Sequence, residues 1–388
     1  MKQTADRKKG LSPGQLSNLD TAICSYNNRS LLSSAYPPVL FLELTRNCIS
    51  RCVYCRKNWT NDPQYDMSRE IFAIIVKDCA SHAGLIDLRN YGESLMLSDF
   101  RWYLERLADA CTNLRITTTL GCGDNETLKS LVDHNVSISV SLDAIDKNIY
   151  ERYRRGVSFD TVMKNLRFIS SEMTKKHDSL KGLLRIGIAP LYSDNLDQVD
   201  GILNLAHQLQ IPEIRILQLS SVWYDLNTLY FHKKKLLKTL HKAIEKAEKY
   251  GIEIQFGSPL ISVLKLNEKA CDLCIKPWLY STIMFNGTMR PCDWQIELKQ
   301  TSDDLGNIRD GVESVWNGKV AQRLRRYHIQ SRGYSKICTT CYRTGRYSDH
   351  EHTLDQSFKK WLVTGHDIYE KVTTLSGIPK AGTSCSFL

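Results

Sequence analysis

A chain of 388 residues, 42% hydrophobic and 24% charged, has room for one large domain and a smaller one, with the balance of a globular enzyme rather than a disordered or fibrous chain. Its net charge of +10 could serve an anionic substrate, an acidic protein partner, nucleic acid or mere solubility; the excess is scattered over Arg7-Lys8-Lys9, Lys233-Lys234-Lys235 and the stretch from Arg323 to Arg326, with no nucleic-acid-binding module, so nucleic acid is not the expected partner. No apolar run reaches a membrane span and no signal peptide is present, so the thirteen cysteines fit thiolates held on iron in a reducing cytoplasm. The terminal Cys385-Ser-Phe-Leu has the form of a prenylation box but lacks a polybasic segment or second anchor, and carries no weight.

Residues 1–38 are polar, rich in Ser and Asn, and end at Pro37-Pro38; they read as an arm or short capping segment, too short for a separate recognition domain. From Val39 the pattern alternates strand and helix. Apolar, β-branched runs predict strands at Val39–Thr45, Leu85–Asn90, Leu114–Thr119, Val136–Leu142, Leu183–Ala189 and Glu213–Leu219. Apolar residues at helical spacing lie between them, as in Ile71/Ile74/Ile75, Trp102/Leu104/Leu107 and Val162/Leu166/Ile169. Six such repeats predict an α/β fold, a partial (β/α)6 TIM-like barrel over residues 39–257, with ligand sites at the carboxyl ends of the strands. Lys233–Tyr250 reads as a long basic helix, and Gly251–Phe256 as a further strand.

The first predicted strand runs into Cys48, Cys52 and Cys55, spaced C-x3-C-x2-C. A structural zinc site and an ordinary 4Fe–4S cluster each take four ligands, so three cysteines in one tight loop leave a metal position open for chemistry. A zinc knuckle is the competing reading. The triad resembles the signature of the radical S-adenosylmethionine (radical SAM) superfamily, C-x3-C-x-aromatic-C, with Tyr54 as the aromatic residue. That resemblance implies a 4Fe–4S cluster on Cys48, Cys52 and Cys55, with S-adenosylmethionine (SAM) on its open iron.

Later segments extend the likeness. Tyr91-Gly92-Glu93-Ser94 looks like the family's Gly-Glu motif for the SAM amino group, with Ser94 where many relatives have proline. A glycine lets backbone approach a ligand, and a carboxylate suits an ammonium. Thr117-Thr-Thr-Leu-Gly121 departs from the usual Thr-Asn-Gly turn, so no contact is inferred from it. The strand ending Ser141-Leu142-Asp143 and the segment Tyr150–Gly156 imply Ser141 and Arg154, with Arg155 as alternate, for the SAM carboxylate.

A second cysteine group follows in residues 258–345, predicted to be a small α+β domain: Cys271-x2-Cys274, Cys292 and Cys338-x2-Cys341. Asn286-Gly287 between apolar runs predicts a β-hairpin. Cys274-x12-Gly287-x4-Cys292, Pro277-Trp278 and Leu305-Gly306-Asn307-Ile308 resemble the SPASM/twitch auxiliary-cluster domain. With Tyr at position 347 and only Cys385 beyond, a shortened twitch form is implied, its one auxiliary 4Fe–4S cluster on Cys274, Cys292, Cys338 and Cys341. Structural zinc is the rival for four cysteines. Cys271 could be a ligand, a buried thiol or a catalytic hydrogen donor facing substrate. Cys24, Cys79, Cys111 and Cys122 read as packing residues, and residues 346–388 carry no signal.

The expected function is a radical SAM oxidoreductase or epimerase. Its 5′-deoxyadenosyl radical would act on a small polar, possibly anionic molecule such as a sugar, aminocyclitol or nucleoside, with a flavodoxin- or ferredoxin-type electron donor. The alternatives are a maturase acting on a peptide or protein, and a non-catalytic Fe–S or zinc module binding nucleic acid. The Gly-Glu and Ser-x-Asp motifs count against the last, which needs no SAM pocket.

Overall fold

The computed structural model describes residues 11–55, 62–111, 113–188, 195–216, 233–256, 274–292 and 303–330. The expected strands form as β1 (Val39–Leu42), β3 (Leu85–Leu88), β4 (Leu114–Thr118), β5 (Ser137–Ser141), β7 (Leu184–Ile188), β8 (Glu213–Ile216) and β9 (Glu253–Phe256). A short ribbon is made by β2 (Arg51–Cys52) and β6 (Arg154–Arg155). The crossovers carry α2 (Arg69–Ile75), α3 (Phe100–Ala110), α4 (Asn125–Asp133), α5 (Lys147–Tyr153), α6 (Phe159–Lys176), α7 (Val199–Gln208) and α8 (Lys233–Tyr250). Their starts follow from capping chemistry: Ser68, Asp124, Asp146 and Ser158 each accept a hydrogen bond from a first-turn backbone N–H.

The sheet order is β12-β11-β10-β1-β3-β4-β5-β7-β8-β9, where β10 is Tyr280–Ile283, β11 Thr288–Arg290 and β12 Gly306–Asn307. All neighbours from β10 to β9 are parallel, and the two pairings beyond β10 are antiparallel. The expected hairpin is therefore not detached from the core: β10 lies directly on β1, with Val39 opposite Tyr280 and Leu42 opposite Ile283.

Side chains alternate across the sheet with period two. Leu40, Leu42, Ile86, Leu88, Ile116, Ile138, Val140, Ile186 and Ile214 are buried in the main apolar core. The alternate residues are polar yet also buried, including Asp87, Arg115, Ser139, Arg185 and Arg215. Burying such groups is tolerable only with partners: Asp87 takes Arg89 at 3.1 Å and Arg115 at 3.7 Å. The strands expected from runs rich in β-branched or apolar residues thus carry a second, polar and charged face that is also buried.

The N-terminal segment, expected to be an arm or a short capping segment, carries a docked helix. α1 (Pro13–Asn27) starts at a capping box in which Ser12 and Gln15 bond each other's backbone N–H, with Pro13 in its first turn. A second apolar cluster joins its Leu19, Ala22 and Tyr26 to Trp278, Leu279 and Tyr280 at α9 (Lys276–Leu279) and β10. The chain then adds α10 (Val312–Trp316) and α11 (Lys319–Gln330). Arg325 on α11 is fully buried and donates to the carbonyls of Pro277 at 2.9 Å and Leu31 at 2.8 Å, tying the N-terminal segment to the auxiliary region.

Candidate cluster and cofactor site

The cysteine loop leaves the carboxyl end of β1 and is clamped at its root. Asn47 donates to the Asp62 carbonyl at 2.9 Å and to Asp66 at 2.8 Å, and its own side-chain oxygen accepts from the Asp62 backbone at 2.9 Å. Thr45 also donates to Asp66. Arg46 pairs with Glu43 at 3.0 Å and lies over the Tyr91 ring at 5.4 Å and the Phe285 ring at 5.8 Å, so the loop root touches the hairpin. Within the loop Cys52 is buried, while Cys48 and Cys55 are half-buried.

Two glycines let neighbouring chain close on this loop. A Cβ on Gly92 would lie 1.9 Å from the Thr45 carbonyl oxygen and 2.9 Å from that of Asn47. A Cβ on Gly156, where φ is +84°, would lie 2.7 Å from the Ile49 carbonyl oxygen. Gly92 thus lets its chain pack directly against the root of the cysteine loop.

The adjoining Glu93 is buried. One carboxylate oxygen accepts from the Thr119 backbone at 2.8 Å and from its hydroxyl at 3.0 Å, and the other has no hydrogen-bond partner. Burial raises its pKa, and the bonds from Thr119 and Thr118 oppose the rise. A buried, half-satisfied carboxylate beside the cysteine loop fits a bound ammonium, which would supply the missing charge-assisted bond. Thr119 was missed from the sequence because its turn departs from the family form; its signal was a hydroxyl at the end of a predicted strand.

Arg154, expected at the SAM carboxylate, is already engaged by groups of the protein itself. Its Nε donates to Asp143 at 2.8 Å, and Asp143 also accepts from the Tyr54 hydroxyl at 2.7 Å. Its Nη1 lies 3.7 Å from the Cys52 sulfur, and the guanidinium sits 5.5 Å from the Tyr54 ring centre. Burial works against the charge of Arg154, but Asp143, then Tyr54 and Cys52, hold it firmly protonated. Tyr54 is held protonated, chiefly by burial. Asn195 donates to the Asp143 carbonyl at 3.1 Å. Asp143, seen in the sequence only as part of a motif, is the hub. Arg155, the alternate, is exposed, and Ser141 is half-buried at the end of β5.

Among the described residues no three His, Cys, Asp or Glu side chains converge on one metal ion. Three thiols on one loop, a cationic group against one sulfur and an unfilled carboxylate nearby suit a cluster with an open iron and an amino-acid ligand. Cys122 proves less isolated than expected: burial, then Glu93 and Cys48, push its thiol pKa up. Cys79 and Cys111 are packing residues, their pKa values raised to about 12 by burial, whereas Cys24 is exposed.

At the auxiliary site Cys274 and Cys292 are half-buried, and Cys271, Cys338 and Cys341 lie outside the described residues. Thr282 pairs with Arg290, so the hairpin carries Cys292 back toward the Tyr280 end of β10, where the chain from Cys274 enters. Because β10 is parallel to β1, that is the end opposite the first cysteine loop.

Residues 42–217 match the Radical SAM superfamily, and residues 274–342 match SPASM, an iron–sulfur cluster-binding domain. The chain has the architecture of a radical SAM enzyme with a C-terminal SPASM domain. Its cofactors are accordingly a 4Fe–4S cluster, SAM and an auxiliary iron–sulfur cluster. The SPASM match contains Cys274, Cys292, Cys338 and Cys341. Streptococcus suis SuiB bound to S-adenosylmethionine is similar in fold, with a TM-score of 0.60 and 16% identity over 84% of this chain and 75% of that one. The anSMEcpe structure with bound AdoMet gives 0.58 and 16%, over 85% and 96%. In sequence, a probable GTP 3′,8-cyclase of Sulfurisphaera tokodaii is 22% identical over 228 residues, 57% of this chain and 68% of the relative. Among the described residues no helix is long and apolar enough to cross a membrane.

Proposed function

We propose that this radical SAM enzyme modifies a peptide or protein segment. The supporting observation is the fold likeness to SuiB and anSMEcpe, which spans most of this chain and 96% of anSMEcpe. SuiB has been solved with its precursor peptide SuiA, and anSMEcpe with the Cp18Cys peptide. The small polar substrate favoured by the sequence becomes the second reading; the likeness to a probable GTP 3′,8-cyclase supports it, with a nucleotide as the anionic candidate.

In this reading Cys48, Cys52 and Cys55 hold the radical-generating cluster, while Cys274, Cys292, Cys338 and Cys341 hold the auxiliary one. When bound and reduced, the first cluster with SAM supplies a 5′-deoxyadenosyl radical that takes a hydrogen atom from substrate. Glu93 meets the SAM ammonium through its unfilled oxygen, and Ser141 meets the carboxylate. Arg154, locked by Asp143, holds its cation against the Cys52 sulfur and fixes the loop. The strand–helix repeats curve into a partial barrel with the polar face inward, over residues 39–257. Residues 258–345 form the auxiliary unit, and the free thiols suit a reducing cytoplasm. Cys271 is the candidate hydrogen-atom donor if the product is epimerised; oxidation needs no such thiol.

The test is SAM cleavage by anaerobically reconstituted, reduced protein, with peptides encoded beside its gene compared against GTP and other nucleotides. Peptide-stimulated 5′-deoxyadenosine release, with a mass change in that peptide, is expected. Stimulation by GTP alone would replace this reading with the second.

A further inference from the structure

The polar second face of the sheet is unevenly charged. Among the described residues it presents Arg89, Arg115, Arg185 and Arg215 against the carboxylates of Asp87 and Glu213. Two further carboxylates on that face are matched by cations of their own: Glu43 pairs with Arg46 at 3.0 Å, and Glu253 with Lys181 at 3.0 Å. Four guanidiniums thus share two carboxylates, and buried charge is costly unless it is balanced.

Strand register arranges these groups in rows. The β3–β4 pairing, carried one residue beyond Leu88 and Ile116, sets Arg89 beside Thr117. Thr117 lies opposite Ser139, Ser139 opposite Arg185, and Arg185 opposite Glu213. Two long cationic side chains therefore flank two short hydroxyl ones. One layer nearer the carboxyl ends, Ser141, Gly187 and Arg215 are neighbours. A Cβ on Gly187 would meet the Ser139 Oγ at 3.5 Å and the Val140 carbonyl oxygen at 3.7 Å, which is ordinary contact, so packing does not require the glycine and the space above the hydroxyls stays open. Arg89 is held at the edge of this space. Its Nε lies 3.1 Å from Asp87, its guanidinium sits 4.7 Å from the Phe41 ring centre, and its side chain keeps 25% of its surface exposed.

We propose that this row binds an oxyanion of the substrate, with Arg89 and Arg185 supplying charge and Thr117 and Ser139 neutral donors. Guanidinium forks match carboxylate and phosphate alike. The proposal rests on the reading that the polar face lines the barrel and that the substrate is a peptide; the anion is then an acidic side chain of that peptide. For a nucleotide substrate it is a phosphate. The strands of the row lead on to Glu93, Thr119 and Ser141, so an anion held there anchors the substrate below the residues assigned to SAM.

The experiment titrates the reconstituted holoenzyme with SAM, using labelled hexaglutamate, hexaglutamine and GTP. Hexaglutamate should bind about tenfold more tightly than hexaglutamine, and Arg89→Gln should remove that difference. Thr117→Val, which takes away one neutral donor and no charge, should weaken hexaglutamate severalfold and carries the test if Arg89→Gln does not fold. Lys238→Gln, which removes an equal charge from the exposed face of α8, should change nothing. Iron content and SAM affinity should match wild type throughout. Arg89-dependent binding of GTP without binding of hexaglutamate keeps the anion site and removes the peptide reading. Anion affinities that are the same in wild type, Arg89→Gln and Thr117→Val overturn the proposal. An equal loss in Lys238→Gln also overturns it, because net charge alone would then bind the probe. So does a parallel fall in SAM affinity, because Arg89 would then shape the cofactor pocket.

Discussion

The first cysteine loop and the pair Cys274 and Cys292 lie at opposite ends of adjacent parallel strands, β1 and β10, and are assembled in different ways. The first gathers three thiols on one eight-residue stretch, and tertiary structure only clamps it, through Asn47, Asp66, Gly92 and Gly156. The second brings Cys292 back toward Cys274 through a hairpin whose strand joins the core sheet. It is braced from outside by α1 and by the buried Arg325. A local site depends on chain spacing, whereas a distributed one depends on everything that sets the path of the chain between its parts. The two should therefore fail differently.

The largest expected effect is at the local site. Cys48→Ala, Cys52→Ala and Cys55→Ala together should abolish 5′-deoxyadenosine formation while leaving far-UV circular dichroism unchanged. Iron should fall from about eight to about four per chain if the two sites are independent. Undiminished SAM cleavage in this variant would remove the assignment of the triad. Cys292→Ala is the converse: SAM cleavage is expected to persist while product formation stops. Equal loss of both would show that the two sites are not separable. Zinc rather than iron in the triple variant would make the second site structural.

Arg325→Leu tests the bracing. It strands the Pro277 and Leu31 carbonyls, each a partner of a charged donor, and should cost about 3 kcal/mol in chemical denaturation. Auxiliary iron should be lost at lower denaturant than the first cluster; simultaneous loss would contradict the division drawn here.

Glu93→Gln should weaken SAM binding by roughly ten- to a hundredfold, the worth of one charge-assisted bond. Thr119→Val, which removes only the hydroxyl donor to that carboxylate, should cost nearer tenfold. Calorimetric titration of SAM checks both, and wild-type affinity in Glu93→Gln would displace the amino group from this position.

The smallest effect concerns acid stability. Burial lowers the His328 pKa on α11 from 6.5 to about 4. Below pH 6.5 the unfolded chain takes a proton that the folded chain refuses until about pH 4, so stability falls as pH drops through that window. His328→Phe should therefore gain on wild type by about 2 kcal/mol at pH 5 relative to pH 7.5. Parallel pH–stability curves for the two proteins would contradict this.

Much of this was legible in one dimension. Strand positions, the basic helix at Lys233–Tyr250, the Asn286-Gly287 hairpin and both cysteine spacings are short-range patterns, and the chain forms them where those patterns stand. α1 was legible too: Ser12, Pro13 and Gln15 spell a helix start, obscured by the polar composition around them. The packing role of Gly92 was not legible, since only the fold brings Thr45 and Asn47 against it.

By itself, the sequence determined the kind of chemistry, because three thiols with that spacing and an aromatic between them are a local fact of the chain. It also determined the strands, whose β-branched runs favour extended backbone whatever their neighbours. Tertiary structure alone decided which charges meet. Asp143 and Arg154 are eleven residues apart, yet Cys52 joins them from 102 residues away. Glu93 takes Thr119 from 26 residues away. The ribbon register sends Arg154 inward to a sulfur and Arg155 outward to solvent. Long-range electrostatic pairing depends on a few ångströms of separation, and those distances exist only once the sheet has closed the chain on itself.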